Sequence, residues 1–267
     1  MLVSDGPSSL RNKIHFSDIW KSCKMSTRKS PRHCGHLADN LAESALFKDL
    51  ANRASLVIRI ELVEPLSEYL WQSTKTQQQN ALKSKFIQGL KCVQLDPSAF
   101  GAYMVQDSIF CYYSKNAIDT AAAKAKDPTL KDFLEKLSDS YKTYYEELFR
   151  TWHIRDPKGI DLGKACADYV SLIKDVAENM NSLYLVLALI PCSKLWPWLG
   201  QQISVPHRNF GVYESWVRSN LNPNDDSYKK LEKIINDAFQ VGEINKEEAL
   251  RVYKGGMTGE ADFFNSV

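Results

Sequence analysis

The sequence predicts an all-α protein, a multi-helix bundle that follows a poorly ordered N-terminal extension. After residue 65, apolar residues recur at the three- and four-residue spacing of helix faces, and no segment alternates with period two long enough for a sheet. Before Leu41 this periodicity is poor, and Ser, Lys, Arg and His cluster between Ser22 and His36, which is typical of disordered segments. We therefore divide the chain into an extension, residues 1–65, and a helical domain, residues 66–267.

The individual helices are predicted from apolar spacing and from capping residues. In the extension, residues 39–54 fit one short helix and the β-branched residues 55–63 fit a short strand or extended chain. In the domain, Asp96-Pro97 and Asp127-Pro128 each combine a capping carboxylate with a proline at the first helical position. The predicted bundle has about eight helices, at residues 65–90, 98–124, 128–152, 161–179, 182–203, 210–221, 225–241 and 245–264.

Composition and charge limit the classes of function. Of 267 residues, 44% are hydrophobic and 25% are charged, so the chain has enough apolar material for a core. Lys and Arg number 34 against 32 Asp and Glu, a net charge of +2 spread along the chain. This balance lacks the basic patch expected of a nucleic-acid-binding protein or of a protein that binds anionic membranes. We expect neither partner.

Cysteine usage and hydropathy predict a cytoplasmic protein. Several of the six cysteines lie inside apolar helical patterns, where reduced cysteine packs as a small hydrophobe. The first ten residues lack the apolar region of a signal peptide. The most apolar run, Leu183 to Cys192, has about half of the ~20 residues that a membrane span needs. We therefore interpret it as a buried core helix.

Three segments carry side chains suited to chemistry. Tyr103, Asp107, Phe110, Cys111 and Ser114 share one helix face, which places a carboxylate among aromatic rings. That face could equally be an amphipathic surface with Asp at its polar edge.

The other two segments lie further along the chain. Cys192 follows Pro191 in the apolar run, and Trp196 lies one turn later. Glu260 and Phe263 share a face of the last helix. Taken alone, Cys192 fits inert packing and Glu260 fits a solvated surface, so each signal is weak.

Metal and cofactor sites are not expected. His33, Cys34 and His36, with Cys23, lack standard zinc-ligand spacing. The sequence contains no Glu-x-x-His pair, which is the motif of a di-iron centre, and none of its histidines is an evident axial haem ligand. The sequence also lacks a glycine-rich phosphate loop and a Gly-x-Ser-x-Gly motif. We expect no metal and no cofactor.

The ordered landmarks of the domain resemble the TenA family, the thiaminase II enzymes with a heme-oxygenase-like fold. The resemblance covers about residues 85–264, and Tyr169 stands 23 residues before Cys192, as the family's substrate-contacting tyrosine stands before its cysteine. The landmarks are Phe86-Ile-Gln-Gly89, Phe100-x-x-Tyr103-x-x-Gln106-Asp107-Ser108, Leu189-Ile-Pro-Cys192 and Glu260-x-x-Phe263.

The resemblance implies hydrolysis of the C–N bond at the methylene on position 5 of a 4-amino-2-methylpyrimidine. The substrate would be thiamin or an aminopyrimidine breakdown product. It implies Cys192 as nucleophile, Glu260 as the acid at the ring nitrogen and Asp107 as the anchor for the amino edge. The substrate-binding residues it implies are Tyr103, Phe110, Tyr169, Trp196, Asn220 and Phe263.

Three departures from the family pattern bear on activity. Phe110, Trp196 and Asn220 stand where many members carry tyrosine, so three hydroxyls are lost. A buried polar network that lacks such groups leaves partners unpaired at ~1–3 kcal/mol each. The alternative to an enzyme is therefore a catalytically weak or inactive pocket protein that binds a pyrimidine or another flat molecule. The resemblance also implies a homotetramer or a homodimer.

Overall fold

The computed structural model describes residues 64–267. Within that range the chain forms ten α-helices and three short 3-10 turns, with no β-strand. The all-α prediction is therefore confirmed. In chain order the helices are α1 (Leu66–Gln72), α2 (Lys75–Lys83), α3 (Lys85–Cys92), α4 (Pro97–Lys124), α5 (Pro128–Thr151), α6 (Lys164–Asn179), α7 (Ser182–Gln202), α8 (Glu214–Asn220), α9 (Tyr228–Gln240) and α10 (Lys246–Asn265).

The predictions for the N-terminal extension stay predictions. The helix at residues 39–54, the extended segment at 55–63 and the histidine and cysteine cluster at 23–36 all lie outside the described residues. The division of the chain near residue 65 is likewise untested.

The prediction of a single helix over residues 65–90 is wrong. The segment forms the three helices α1, α2 and α3. At the first break the Thr74 hydroxyl donates to the carbonyl oxygens of Leu70 at 3.0 Å and Trp71 at 3.1 Å, which satisfies the end of α1. At the second break the Ser84 hydroxyl accepts from the Ile87 amide at 3.2 Å and caps α3. Apolar spacing continues through both breaks, so it does not reveal them.

The two long helices begin where the Asp-Pro pairs predict. Asp96 accepts a hydrogen bond from the Ser98 amide at 2.6 Å at the start of α4. Asp127 accepts from the amides of Thr129 and Leu130, both at 3.1 Å, at the start of α5. Each carboxylate thus pairs amides that have no partner within the helix.

Helices α6, α8 and α9 begin later in the chain than predicted. Residues 161–163 precede α6, and the amide of Gly163 donates to the Gln106 side chain at 2.9 Å. Residues 211–213 form a 3-10 turn before α8, with Gly211 at a φ of 59°. The helix predicted from residue 225 begins at Tyr228.

Helix α7 is the centre of the fold. It packs against α6, α9 and α10, while α4 packs along α5 and α6. Among the described helices, α7 alone is long and apolar enough to cross a membrane, and 89% of its most apolar window is buried inside the protein. This burial supports the prediction that α7 is a core helix.

Two glycines of α10 allow a close approach to α6 and α7. A Cβ on Gly259 would lie 2.5 Å from the Tyr169 ring, and a Cβ on Gly256 would lie 2.9 Å from Pro191. Any larger residue at either position would push the helices apart. The close packing brings Glu260, the next residue on α10, to the centre of the bundle.

Candidate active site

A small cavity, here called the inner pocket, lies where α4, α6, α7 and α10 meet. It encloses about 10 Å³, which is the space that one water molecule needs. It gathers eight of the nine site residues expected from sequence, together with Cys111. Its lining residues are Tyr103, Asp107, Phe110, Cys111, Tyr169, Cys192, Trp196, Glu260 and Phe263.

The Glu260 carboxyl accepts two hydrogen bonds and adjoins a thiol. The Tyr169 hydroxyl donates to Oε1 at 3.0 Å, and the Trp196 indole Nε1 donates to Oε2 at 2.9 Å. The Cys192 thiol lines the same cavity and lowers the pKa of this carboxyl. Glu260 is 4% exposed, so these donors replace the water that a carboxylate would otherwise bind.

Both buried carboxyls of the inner pocket have raised pKa values. Burial raises the pKa of Glu260 to about 7, against the opposing effects of Trp196, Tyr169 and Cys192. Burial and, to a smaller extent, the negative charge of Glu260 raise the pKa of Asp107 to about 7. Each group can thus take up or release a proton near neutral pH.

The Cys192 thiol is held in its neutral form. Burial raises its pKa well above the ordinary value, and the charge of Glu260 raises it further. A free thiolate is therefore disfavoured in this pocket. The Glu260 carboxyl in the same cavity gives the thiol a neighbouring base, so loss of its proton can be coupled to attack.

Aromatic rings fill most of the remaining space. Phe110 stacks on Tyr169, with ring centroids 4.4 Å apart, and meets Phe263 edge-on at 6.1 Å. The two residues expected to flank a bound ring, Tyr169 and Phe263, are thus both in contact with Phe110. A pyrimidine ring needs Phe110 to move before it can enter.

The structure corrects one consequence of the three departures from the family pattern. At position 196 the expected loss of a hydrogen bond does not occur, because the indole N–H supplies a donor to Glu260. Tryptophan here keeps both an aromatic face and a polar group. Phe110 has no such group, so the loss of a hydroxyl at that position stands.

Asn220 lies outside the inner pocket. It is on α8 and lines a neighbouring cleft of about 290 Å³. Its amide nitrogen donates to the Trp216 carbonyl at 2.9 Å, and its oxygen accepts from the Tyr144 hydroxyl at 3.5 Å. The inner pocket therefore does not include Asn220, and its assignment as a substrate-binding residue stays a prediction.

Two residues near the site were not assigned a role from sequence. Cys111 lines the inner pocket, four residues after Asp107 on the same helix face, and helical spacing alone places it there. Tyr144 lies on α5, where it is buried, and the charge of Asp107 contributes to the raised pKa of its hydroxyl. No local spacing relates α5 to α7, so the position of Tyr144 follows only from the tertiary fold.

A buried thiol and carboxyl in one cavity, surrounded by aromatic rings inside a helical bundle, define a candidate small-molecule site. The chain belongs to the TENA/THI-4/PQQC family, whose profile matches residues 71–267. This match confirms the resemblance to the TenA family. No protein with a curated description matches the sequence.

Several solved structures share the fold. The TenA homologue from P. horikoshii OT3 superposes with a TM-score of 0.66 at 17% identity, covering 75% of this chain and 97% of that one. A TenA homologue from Pyrococcus furiosus gives 0.64 at 19% identity, covering 75% and 98%. A putative TenA-like thiaminase from Sulfolobus solfataricus P2 gives 0.56 at 18%, covering 76% and 95%. At these identities the likeness shows the fold.

Proposed function

We propose that this protein is a cofactor-independent hydrolase of the thiaminase II type, acting on thiamin or an aminopyrimidine breakdown product. One observation carries the proposal: the Cys192 thiol lines the same cavity of about 10 Å³ as the buried carboxyl of Glu260, which Tyr169 and Trp196 hold in place. A nucleophile beside its own base and acid is what this reaction requires.

The first step adds the thiol to the ring. Sulfur bonds to ring carbon 6 while the thiol proton passes through Glu260 to ring nitrogen 1. A carboxyl with a pKa of about 7 suits this transfer, because it accepts and releases the proton with little cost at neutral pH. The net change adds S–H across one ring bond and needs no free thiolate.

The second step breaks the C–N bond. The lone pair of the 4-amino group forms a double bond to ring carbon 4, and the exocyclic methylene becomes doubly bonded to carbon 5. The leaving group departs with the C–N bonding pair. Asp107 stabilises the positive charge that develops on the amino nitrogen.

Water completes the reaction. Its oxygen bonds to the exocyclic methylene and its surplus proton passes to bulk water, while the electrons of the exocyclic double bond restore the carbon 4–carbon 5 bond and the neutral amino group. The thiol is then expelled, and the proton on ring nitrogen 1 returns through Glu260 to sulfur. The balance is one substrate cation (thiamin or the protonated aminomethylpyrimidine) and one water consumed, with one hydroxymethylpyrimidine, one neutral leaving group and one proton released. Cys192 and Glu260 end in their starting states.

The alternative function, pyrimidine binding without turnover, is favoured by one feature. The inner pocket encloses about 10 Å³, far less than the ~300 Å³ or more of typical small-molecule pockets. Turnover requires the Phe110 ring to rotate away from Tyr169, and a site that opens only partly would bind weakly.

A product assay tests the proposal. The purified full-length chain is incubated at pH 7.5 with 4-amino-5-aminomethyl-2-methylpyrimidine or with thiamin. We expect 4-amino-5-hydroxymethyl-2-methylpyrimidine by mass spectrometry, with equimolar ammonia or thiazole. Binding by calorimetry without product would favour the alternative function. Neither binding nor product at millimolar substrate would show that the family's substrate class does not apply to this chain.

Two replacements of Trp196 distinguish the contribution of its indole N–H from that of its aromatic ring. Trp196→Phe removes the donor to Glu260 and is expected to raise the pKa of that carboxyl above about 7. The acidic limb of the kcat/KM profile should move up by roughly one pH unit, since a hydrogen bond to a charged group contributes about 1.5–3 kcal/mol. Trp196→Tyr keeps a donor and should stay closer to wild type. Equal profiles for both variants would remove Trp196 from the account.

A further inference from the structure

The cleft that contains Asn220, here called the outer cleft, is formed by α4, α5 and α8. It encloses about 290 Å³. Its walls are largely apolar and aromatic, with Met104, Trp152 and Trp216 among them. Glu147 lines it, and no Lys, Arg or His side chain does so within residues 64–267. The cleft is therefore large enough for a small ring and carries one acidic group.

The outer cleft and the inner pocket are separated by a thin wall of side chains. Trp216 lines the cleft, and its ring lies 5.7 Å from that of Trp196 and 6.1 Å from that of Tyr103, both of which line the inner pocket. Tyr144 also lines the cleft and is itself buried. The ring of Trp216 therefore stands between the two spaces.

The outer cleft adjoins the Asp107 side of the inner pocket. Met104 lines the cleft, and Asp107, one helical turn later on α4, lines the inner pocket. Tyr144 also lines the cleft, and burial, with a further contribution from the charge of Asp107, raises the pKa of its hydroxyl well above the ordinary value.

The geometry of the pyrimidine ring determines the direction in which the leaving group departs. Ring carbon 5, which bears the methylene, lies between carbon 4 with its amino group and carbon 6 with its thiol bond. If Asp107 binds the amino group and Cys192 attacks carbon 6, the methylene points between these two residues and away from Glu260. On the Asp107 side, that direction leads toward the outer cleft.

A second, larger groove is less suitable. It encloses about 660 Å³ and is lined by Gln106 and Cys166, among others. Its lining within residues 64–267 includes no aromatic side chain, so it offers no stacking surface to a heteroaromatic leaving group.

We propose that the outer cleft binds the leaving group and that Glu147 makes it select neutral or cationic leaving groups over phosphorylated ones. This inference rests on the proposed function. The aromatic walls offer stacking surfaces to a heteroaromatic ring such as thiazolium. Glu147 attracts a cationic ring and repels a phosphate, and no basic residue in the described lining compensates that repulsion.

Charge reversal at Glu147 tests the selectivity. The ratio of kcat/KM for thiamin to that for thiamin monophosphate is measured in wild type, Glu147→Lys and Glu146→Lys. Glu146 is exposed, adjacent in sequence and not part of the cleft, so it is the matched control. We expect the ratio to fall by about 10-fold or more in Glu147→Lys, the change that about 1.4 kcal/mol produces, and to stay within about twofold of wild type in Glu146→Lys.

A second variant tests whether the leaving group occupies the cleft, because it fills the cleft with a larger side chain. Ser219→Trp places a large ring in the cleft and should lower the ratio of kcat/KM for thiamin to that for the aminomethylpyrimidine by about 10-fold or more. The leaving group of the aminomethylpyrimidine is ammonia, which needs no such space.

The outcomes separate this inference from the proposed function. Turnover of the aminomethylpyrimidine with both ratios unchanged in Glu147→Lys and Ser219→Trp would overturn the leaving-group site alone. Thiamin monophosphate turned over as well as thiamin by wild type would do the same. Absence of turnover with every substrate would overturn the proposed function and the inference that rests on it.

Discussion

Cys192→Ser is expected to lower kcat for the aminomethylpyrimidine by at least about 1,000-fold, the scale on which loss of a nucleophile acts in hydrolases. A serine hydroxyl fits the same space beside Glu260. Its proton is much harder to remove than that of the thiol, so addition to ring carbon 6 fails. The measurement is steady-state hydroxymethylpyrimidine formation at pH 7.5.

Cys111→Ser provides the matched control for this variant. Cys111 lines the same cavity and is equally buried, but it has no role in the proposed reaction. We expect its turnover to stay within about 10-fold of wild type, and the melting temperature of both variants to change by about 2–4 °C per kcal/mol of altered packing. Loss of activity in Cys111→Ser with retention in Cys192→Ser would reverse the assignment of the nucleophile.

Asp107→Asn is expected to stabilise the protein at pH 8 and to have little effect at pH 4. In the folded protein the pKa of Asp107 is about 7, against an ordinary value of 3.8. Between these values the folded state holds a proton that the unfolded chain has released. The free energy of unfolding of wild type therefore falls as the pH rises from about 4 to about 7 and is level above that.

Removing the buried charge removes this loss of stability. At pH 8 the variant should exceed wild type by roughly 2–4 kcal/mol, the order of magnitude that a shift of this size implies for a fully buried group. Urea unfolding at pH 4, 6 and 8 measures the difference. Asp139→Asn, which changes an exposed aspartate of α5, should show no such pH dependence. A variant less stable than wild type by the same amount at every pH would contradict a burial-raised pKa.

The same Asp107→Asn variant links stability to function. A carboxyl that lowers stability at neutral pH is retained at the centre of the protein, where it is 6% exposed. Such a group is typical of functional sites, where a ligand can supply a partner for its charge. We expect Asp107→Asn to bind aminopyrimidines more weakly, although it is the more stable protein.

The fold was predictable where local chemistry is decisive. Asp96 and Asp127, each followed by proline, mark the starts of α4 and α5 because capping depends only on the neighbouring amides. The breaks at Thr74 and Ser84 were missed because both residues are neutral in a periodic apolar pattern and act only through side-chain hydrogen bonds to the backbone.

The candidate site was predictable as a set of residues but not as a shape. The landmark order relates Asp107, Cys192 and Glu260, which lie on three different helices, and the structure brings all three to one cavity. The indole donor of Trp196 and the stacking of Phe110 on Tyr169 depend on side-chain rotamers, which the tertiary packing selects. The position of Asn220 depends on the 3-10 turn that delays the start of α8.

A crystal structure with 4-amino-5-hydroxymethyl-2-methylpyrimidine tests the central claim most directly. The account predicts the ring between Tyr169 and Phe263, with Phe110 rotated away, ring nitrogen 1 in hydrogen-bonding distance of Glu260 and ring carbon 6 about 3–3.5 Å from the sulfur of Cys192. A saturated crystal in which Phe110 still stacks on Tyr169, with the pyrimidine bound only outside the inner pocket, would contradict it.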